Sequence, residues 1–175
     1  PGSPPSVRFW SRNGNEKTAQ FPDIVDAIAT WLKTINAPVV LDGEIVALDA
    51  RGEPAGFQRL QGRIHGSAPG GARQAVTFIA FDVLGDGGED LRSLPLVARR
   101  ARLERVYGSA GPGAFRLSEF VSGDGRALYR DAVTRGAEGI IAKRLDAPYR
   151  SGRRTAEWTN LKLVGRQDCV VAGGG

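Results

Sequence analysis

Glu138-Gly139-Ile140-Ile141-Ala142-Lys143 has the sequence of a short strand with a carboxylate and a glycine at its start. An earlier stretch, Leu41-Asp42-Gly43-Glu44-Ile45-Val46, has the same character. Because an otherwise apolar strand gains nothing from a charge at its end, we expect these carboxylates to have a function. Two such strands can aim their carboxylates into one cleft and hold a divalent cation against phosphate oxygens there.

The composition fits one soluble domain with an anionic partner. A chain of 175 residues can build a hydrophobic core, and 41% hydrophobic and 25% charged residues are ordinary values for a globular protein. The net charge is +5, and most basic residues are arginines. Arginine favours bidentate contacts with phosphate, so the composition favours a nucleotide or nucleic-acid partner.

Several classes of protein and site are excluded by what the sequence contains. Cys169 is the only cysteine, so an internal disulfide cannot form, which suits a reducing cytoplasm. His65 is the only histidine, which excludes metal sites built from several imidazoles within this chain. No apolar run approaches the roughly 20 residues that a membrane span requires, and no signal peptide opens the chain.

The ends of the chain are typical of linkers. The chain has no methionine, and residues 1–6 contain three prolines and a glycine. We expect residues 1–6 to be a loop or linker, residues 7–172 to form the domain, and residues 173–175 to begin a second linker. On this interpretation the sequence is a piece of a longer protein.

Hydrophobic periodicity predicts both helices and strands. The predicted helices are Phe21–Ile35, Phe57–Ile64, Leu96–Tyr107 and Gly125–Arg135. The predicted strands are Val7–Ser11, Val39–Leu48, Val76–Leu84, Phe115–Phe120, Glu138–Leu145 and Leu161–Ala172. The order lacks regular strand–helix alternation, which favours an α+β fold with largely antiparallel sheets flanked by helices. Neither a P-loop nor a Gly-x-Gly-x-x-Gly motif is present.

Three residues in the first half are candidates for nucleotide contacts. Arg12, in a turn, can reach a phosphate or ribose, although a solvated turn arginine is the commoner outcome. Glu44 can bind a ribose hydroxyl or a metal-bound water, or simply face solvent at a sheet edge. Phe81 can stack on a purine, a contact worth ~1–3 kcal/mol. Its alternation with Ile79 and Val83 equally supports a place in the core.

The second half supplies three further charged candidates. Glu138 is a candidate metal ligand and Lys143 a candidate phosphate contact, with a surface salt bridge as the alternative for Lys143. Their spacing of five places them on opposite faces of a regular strand, so both reach one site only past a bulge or at a strand end. Lys162 shares a strand face with Trp158 and Asn160 and can neutralise phosphoryl charge, or remain solvated at an edge.

In this order and at these intervals, the motifs resemble those of the nucleotidyltransferase (adenylation) domain of ATP-dependent DNA ligases, and most closely bacterial ligase D. The resemblance covers the chain from Ser11 to about Gly174. Connecting segments also carry it: Phe57–Gln61, Leu94–Leu96, Arg116–Ser118 and Lys143–Arg153. It implies an ATP-grasp-like architecture and an enzyme that seals DNA nicks or ends through lysyl-AMP and DNA-adenylate intermediates.

The resemblance also implies a role for each matching residue. Arg12 and Glu44 would hold the ribose and phosphate region of AMP, and Phe81 would stack on adenine. Glu138, together with Glu44, would bind Mg²⁺ or Mn²⁺. Lys143 and Lys162 would contact the α-phosphate of ATP. The implied partners are nicked or broken double-stranded DNA, a DNA-end-binding protein and fused polymerase or nuclease domains, in a bacterial, nucleoid-associated setting for end joining.

Two features depart from the family pattern. The family nucleophile lies in a Lys-x-Asp-Gly motif, and none of the four lysines of this chain is followed by that sequence. We therefore expect a piece that lacks the N-terminal nucleophile segment, and the following OB-fold domain, and that cannot adenylate itself. In the last motif, Asn160 stands where the family usually has a lysine, and the loss of one charged contact would cost ~1.5–3 kcal/mol.

Two other functions remain open at this point. An RNA ligase or capping-type nucleotidyltransferase shares these motifs, although the ligase-D-like connecting segments argue against it. A non-catalytic module that binds ATP or nucleic acid would explain the missing nucleophile and Asn160.

Overall fold

The computed structural model describes residues 6–35, 37–55, 60, 74–108, 115–135, 137, 139–152 and 156–162. Its helices are α1 (Pro22–Ile35), α2 (Leu96–Tyr107) and α3 (Arg126–Thr134), with a 3₁₀ turn at Thr18–Gln20. Its strands are β1 (Val39–Leu48), β2 (Pro54–Ala55), β3 (Val76–Asp86), β4 (Glu89–Asp90), β5 (Phe115–Leu117), β6 (Gly139–Lys143) and β7 (Trp158–Lys162).

The predicted helices and the predicted strands Val39–Leu48, Val76–Leu84 and Glu138–Leu145 are confirmed to within two residues at each end where the structure describes them. The last strand, β7, begins at Trp158, three residues before its predicted start. The prediction of a strand at Val7–Ser11 is wrong, because this segment makes only a single antiparallel bridge, from Trp10 to Glu16. The predicted strand Phe115–Phe120 ends at Leu117. Of the predicted helix Phe57–Ile64, only Leu60 is described, and it is helical and buried. Residues 163–172 of the last predicted strand lie outside the described residues.

The strands form two sheets. The larger sheet has the order β2-β1-β3-β4, and β5 also pairs with β3. All its neighbours are antiparallel except β3 and β5, which are parallel. Strands β6 and β7 form a separate antiparallel pair. The α+β prediction with largely antiparallel sheets is therefore confirmed.

The core lies between α1 and the larger sheet. Ile24, Ile28 and Trp31 line the buried stripe of α1, at the spacing of one helical face. The Trp31 ring lies 5.0 Å from the ring of Phe115, which stacks on Phe78 at 5.7 Å. Burial of each such side chain contributes about 1.5–3 kcal/mol, so this layer fixes the sheet on which the site is built.

A β-bulge in β3 interrupts the alternation of core and surface residues. Asp42 pairs with Asp82 and Gly43 pairs with Ala80, so Phe81 is an extra residue without a partner on β1. The alternation is shifted by one residue beyond the bulge, and Val83 is fully buried in the core. Bulges of this kind redirect a side chain, here that of Phe81.

None of the helices in the described part of the chain has the length and apolarity that a membrane crossing would need.

Candidate active site

Lys143 lies between two aromatic rings where the two sheets approach each other. It is the last residue of β6 and pairs with Trp158 on β7. Its ammonium nitrogen lies 3.9 Å from the ring centroid of Trp158 and 4.4 Å from that of Phe81. These distances are within the range of cation–π attraction. The two rings pack edge to face at 6.3 Å and hold the ammonium between them.

The electrostatic surroundings of Lys143 are mixed. Burial lowers its pKa from the ordinary value of 10.5, and the carboxylates of Asp82 and Asp42 oppose this effect. The guanidinium groups of Arg99 and Arg100 lower the pKa further. Lys143 is thus a desolvated cation whose charge depends on its neighbours, which is typical of functional lysines.

A network of buried polar groups lies beside Lys143. Asp82 and Arg99 form a fully buried two-point ion pair, with nitrogen–oxygen distances of 2.8 and 2.9 Å. The Tyr149 hydroxyl donates a hydrogen bond of 2.6 Å to Asp42 Oδ2. Burial raises the pKa of Asp42, and this hydrogen bond partly offsets the increase. Burial and the Asp42 carboxylate raise the pKa of Tyr149, so its hydroxyl remains a donor.

A cleft of about 1560 Å³ opens beside Lys143. Strands β1, β3 and β6, helix α3 and the segment between β5 and α3 all line it. Glu44, Phe81 and Lys143 are among its lining residues, together with Arg100 of α2. The structure therefore brings three of the predicted site residues to one cavity.

Arg12, Asn160 and Lys162 are not among the residues that line this cleft. Lys162 and Asn160 are exposed on the face of β7 that carries Trp158, as the alternation predicts. By register, Lys143 is on the same face of the β6–β7 pair. Arg12 is exposed in the turn that the Trp10–Glu16 bridge closes. Glu138 lies outside the described residues.

Phe81 shows where strand alternation misleads. Alternation places Phe81 with Ile79 and Val83 on one face, which supports a core position. The bulge separates Phe81 from Val83: Val83 is fully buried, whereas Phe81 is half-buried at the cleft. The sequence predicts that Glu138 and Lys143 reach one site only past a bulge or at a strand end. Lys143 is at the end of β6, and Glu138 lies outside the described residues.

Sequence reasoning missed four residues of the site: Asp82, Arg99, Arg100 and Tyr149. The signal for Asp82 was available, since it is a carboxylate inside a nearly continuous apolar run that becomes β3. The two arginines belong to an arginine-rich stretch of α2 whose charge predicts an exposed position, although Arg99 is fully buried and Arg100 is 8% exposed. Tyr149 contacts Asp42, a residue 107 positions away, and no local sequence pattern predicts that contact.

The described residues contain no group of three or more His, Cys, Asp or Glu side chains that could hold a metal ion by itself. Mg²⁺ bound with a nucleotide usually takes only one or two protein carboxylates, and water and phosphate oxygens supply the rest. The exposed carboxylate of Glu44 at the cleft fits such a site as one ligand.

Known proteins are similar to this chain in both sequence and fold. Residues 3–162 match the family model described as "ATP dependent DNA ligase domain". A probable DNA ligase of Streptomyces avermitilis is 37% identical over 94% of this chain and 33% of its own length. The multifunctional non-homologous end joining protein LigD of Pseudomonas aeruginosa is 36% identical over 95% of this chain and 19% of its own length.

A solved structure of a mycobacterial DNA ligase D, complexed with ATP and MES, superposes with a TM-score of 0.74 at 35% identity. The match covers 90% of this chain and 48% of that one. The chain thus spans a third or less of the two curated relatives and about half of the solved one. The family model covers most of the chain, and these similarities agree with it: the chain belongs to the family of ATP-dependent DNA ligase domains.

Proposed function

We propose that this chain is the nucleotide-holding part of the adenylation domain of a DNA ligase that seals DNA breaks in end joining. The observation that carries the proposal is the Lys143 ammonium, held between Phe81 and Trp158 at the wall of the cleft. The names of the relatives, DNA ligase and end-joining LigD, and the ATP bound to the mycobacterial enzyme support it.

In this proposal Lys143 contacts the α-phosphate of ATP. A lysine that is removed from water and has an aromatic ring on two sides gives a strong, directed charge–phosphate contact. Phe81 lines the same cleft and offers a π surface for the adenine base, while Glu44, which also lines it, would bind a ribose hydroxyl. Lys162, on the same face as Lys143, would add a second cation toward the phosphates. The expected contact between Arg12 and the nucleotide stays a prediction.

Glu44 would also be one ligand of Mg²⁺ or Mn²⁺, with Glu138 as the second. The metal would supply charge neutralisation at the phosphates when bound. The residues of this chain then orient the nucleotide and exclude water from the α-phosphate.

None of the four lysines lies in a Lys-x-Asp-Gly sequence. We therefore propose that Lys143 and Lys162 are phosphate contacts rather than nucleophiles, and that this chain alone does not form lysyl-AMP. DNA with nicks or broken ends is the proposed substrate of the whole ligase. A DNA-end-binding protein and fused polymerase or nuclease domains are its proposed partners.

Calorimetric titration with ATP and Mg²⁺ tests the proposal. We expect the chain to bind one ATP, and the substitution Lys143→Ala to weaken binding about ten- to a hundredfold, which is the effect of losing one charged contact. Lys33→Ala is the matched control, because Lys33 is an exposed lysine on α1. Equal affinities of the wild type and the Lys143→Ala variant would contradict the proposal.

A further inference from the structure

Tyr149 connects the two sheets at the point where they enclose Lys143. It follows β6 in a segment that is fixed to the start of α2, since Val97 N–H donates to Leu145 and Leu96 N–H donates to Ala147. The backbone N–H of Tyr149 donates to the carbonyl of Arg92 at 2.8 Å. These backbone hydrogen bonds fix the position of Tyr149 independently of its side chain.

The side chain of Tyr149 makes two contacts that both lead to Lys143. Its hydroxyl donates to Asp42 on β1 at 2.6 Å, and Asp42 is one of the two carboxylates that act on the Lys143 charge. Its ring packs edge to face on Trp158 at 6.0 Å, and Trp158 is the ring nearest to the Lys143 ammonium. Tyr149 therefore touches both an electrostatic and an aromatic neighbour of that lysine.

The two carboxylates near Lys143 are held in different ways. Asp82 is fixed by its two-point ion pair with Arg99. Asp42 accepts a side-chain hydrogen bond from a neutral donor, the Tyr149 hydroxyl, and a backbone hydrogen bond from Gly43. The charges that face Lys143 are thus Asp42 from β1, Asp82 from β3, and Arg99 and Arg100 from α2. Of the two carboxylates, Asp42 is therefore the one whose side-chain hydrogen bond comes from a tyrosine hydroxyl rather than from an ion pair.

We propose that Tyr149 is a positioning residue for Lys143. By holding the Asp42 carboxylate and the Trp158 ring, it keeps the Lys143 ammonium charged and in place between Phe81 and Trp158. The effect of Tyr149 on nucleotide affinity rests on the proposed function. Its effect on Lys143 does not.

The test is a pH titration of the lysines in the nucleotide-free chain. All four lysines are labelled by reductive ¹³C-methylation and followed by NMR, and the Lys143 signal is assigned with a Lys143→Arg variant. Tyr149→Phe removes the hydroxyl and keeps the ring. We expect the titration midpoint of Lys143 to fall in this variant, because the Asp42 carboxylate loses its orientation, and those of the other three lysines to stay unchanged. ATP binding should weaken about three- to tenfold, as for one lost hydrogen bond.

Tyr107→Phe is the matched control, since it also removes a tyrosine hydroxyl that donates to a partner, the Phe115 carbonyl, but away from Lys143. Asp42→Asn is the second variant, and it should lower the Lys143 midpoint while leaving an oxygen for Tyr149. An unchanged midpoint in folded Tyr149→Phe, or an equal shift in Tyr107→Phe, would overturn the proposal. If Tyr149→Phe does not fold, an unchanged midpoint in Asp42→Asn would overturn it. A shifted midpoint in a chain that does not bind ATP would contradict the proposed function alone.

Discussion

Asp82 and Arg99 form the most deeply buried charged pair among the described residues, directly beside the cleft. Both side chains are fully buried, and Arg99 also donates to the carbonyls of Leu94 and Ala147 at 2.5 and 3.1 Å. The guanidinium group thus joins β3, the start of α2 and the segment after β6. A buried pair with its hydrogen bonds satisfied is costly to break from one side, because the remaining charge stays buried without its partner.

We predict that Arg99→Ala lowers the free energy of unfolding by about 3–5 kcal/mol. Urea denaturation followed by circular dichroism measures the change. Arg92→Ala serves as the control, because Arg92 pairs with Asp90 at the surface, and no measurable loss is expected there. Similar small losses in both variants would show that the buried pair does not stabilise the fold as described.

Lys143 should give nucleotide binding a distinctive pH dependence. Burial lowers its pKa from 10.5, so between the lowered value and 10.5 the unfolded chain binds more protons than the folded one. The contribution of Lys143 to stability therefore rises with pH across this window. The phosphate contact has the opposite dependence, because it needs the ammonium form.

We predict that ATP affinity falls as the pH rises through the lowered pKa of Lys143, at a lower pH than an ordinary lysine would give. In Lys143→Arg the cation remains charged throughout, so its affinity should stay flat over the same range. Calorimetric titrations of both proteins from neutral to alkaline pH measure this. Parallel profiles for the two would show that Lys143 is not the titrating group.

At the level of the strands, the contacts around Gly43 and Gly139 explain why each carboxylate motif contains a glycine. A Cβ atom on Gly43 would lie 2.5 Å from the Ile79 carbonyl oxygen and would also meet the Phe78 ring. A Cβ atom on Gly139 would lie 2.7 Å from the Leu161 carbonyl oxygen. In both motifs the glycine permits close approach of the neighbouring strand. In the first motif the residue after this glycine, Glu44, lines the cleft.

We predict that Gly43→Ala lowers the free energy of unfolding by about 1–3 kcal/mol through overpacking. Gly85→Ala is the matched control on the partner strand, since its Cβ would find ordinary contacts at 3.4 Å or more. Thermal and urea unfolding of the two variants compare them. A loss in Gly85→Ala as large as that in Gly43→Ala would contradict the close-approach explanation.

The secondary structure elements were largely predictable, whereas their junctions were not. The apolar period of α1 and the β-branched run of β1 are local signals, so Pro22–Ile35 and Val39–Leu48 match the sequence-based boundaries closely. The bulge at Phe81 arises from pairing between β1 and β3, and the Tyr149–Asp42 bond joins residues 107 positions apart. Such features depend on tertiary contacts, which a pattern within one segment does not encode.

For the molecule as a whole, the site is a product of two sheets rather than of one. The larger sheet contributes Glu44, Phe81 and the Asp42–Asp82 pair, and the β6–β7 pair contributes Lys143 and Trp158. Neither sheet alone places an ammonium against both rings. Because the chain belongs to the ATP-dependent DNA ligase domains, ATP is the nucleotide that we propose for this cleft.

We propose that this cleft holds ATP through Lys143 without forming a covalent adduct. Mass spectrometry of the chain with ATP and Mg²⁺, first under native and then under denaturing conditions, tests both parts in one sample. We predict a nucleotide adduct in the native spectrum that is lost on denaturation and is strongly reduced in Lys143→Ala. A native spectrum without the adduct would show that the cleft does not hold ATP, and an AMP unit that survives denaturation would show that one of the four lysines is a nucleophile.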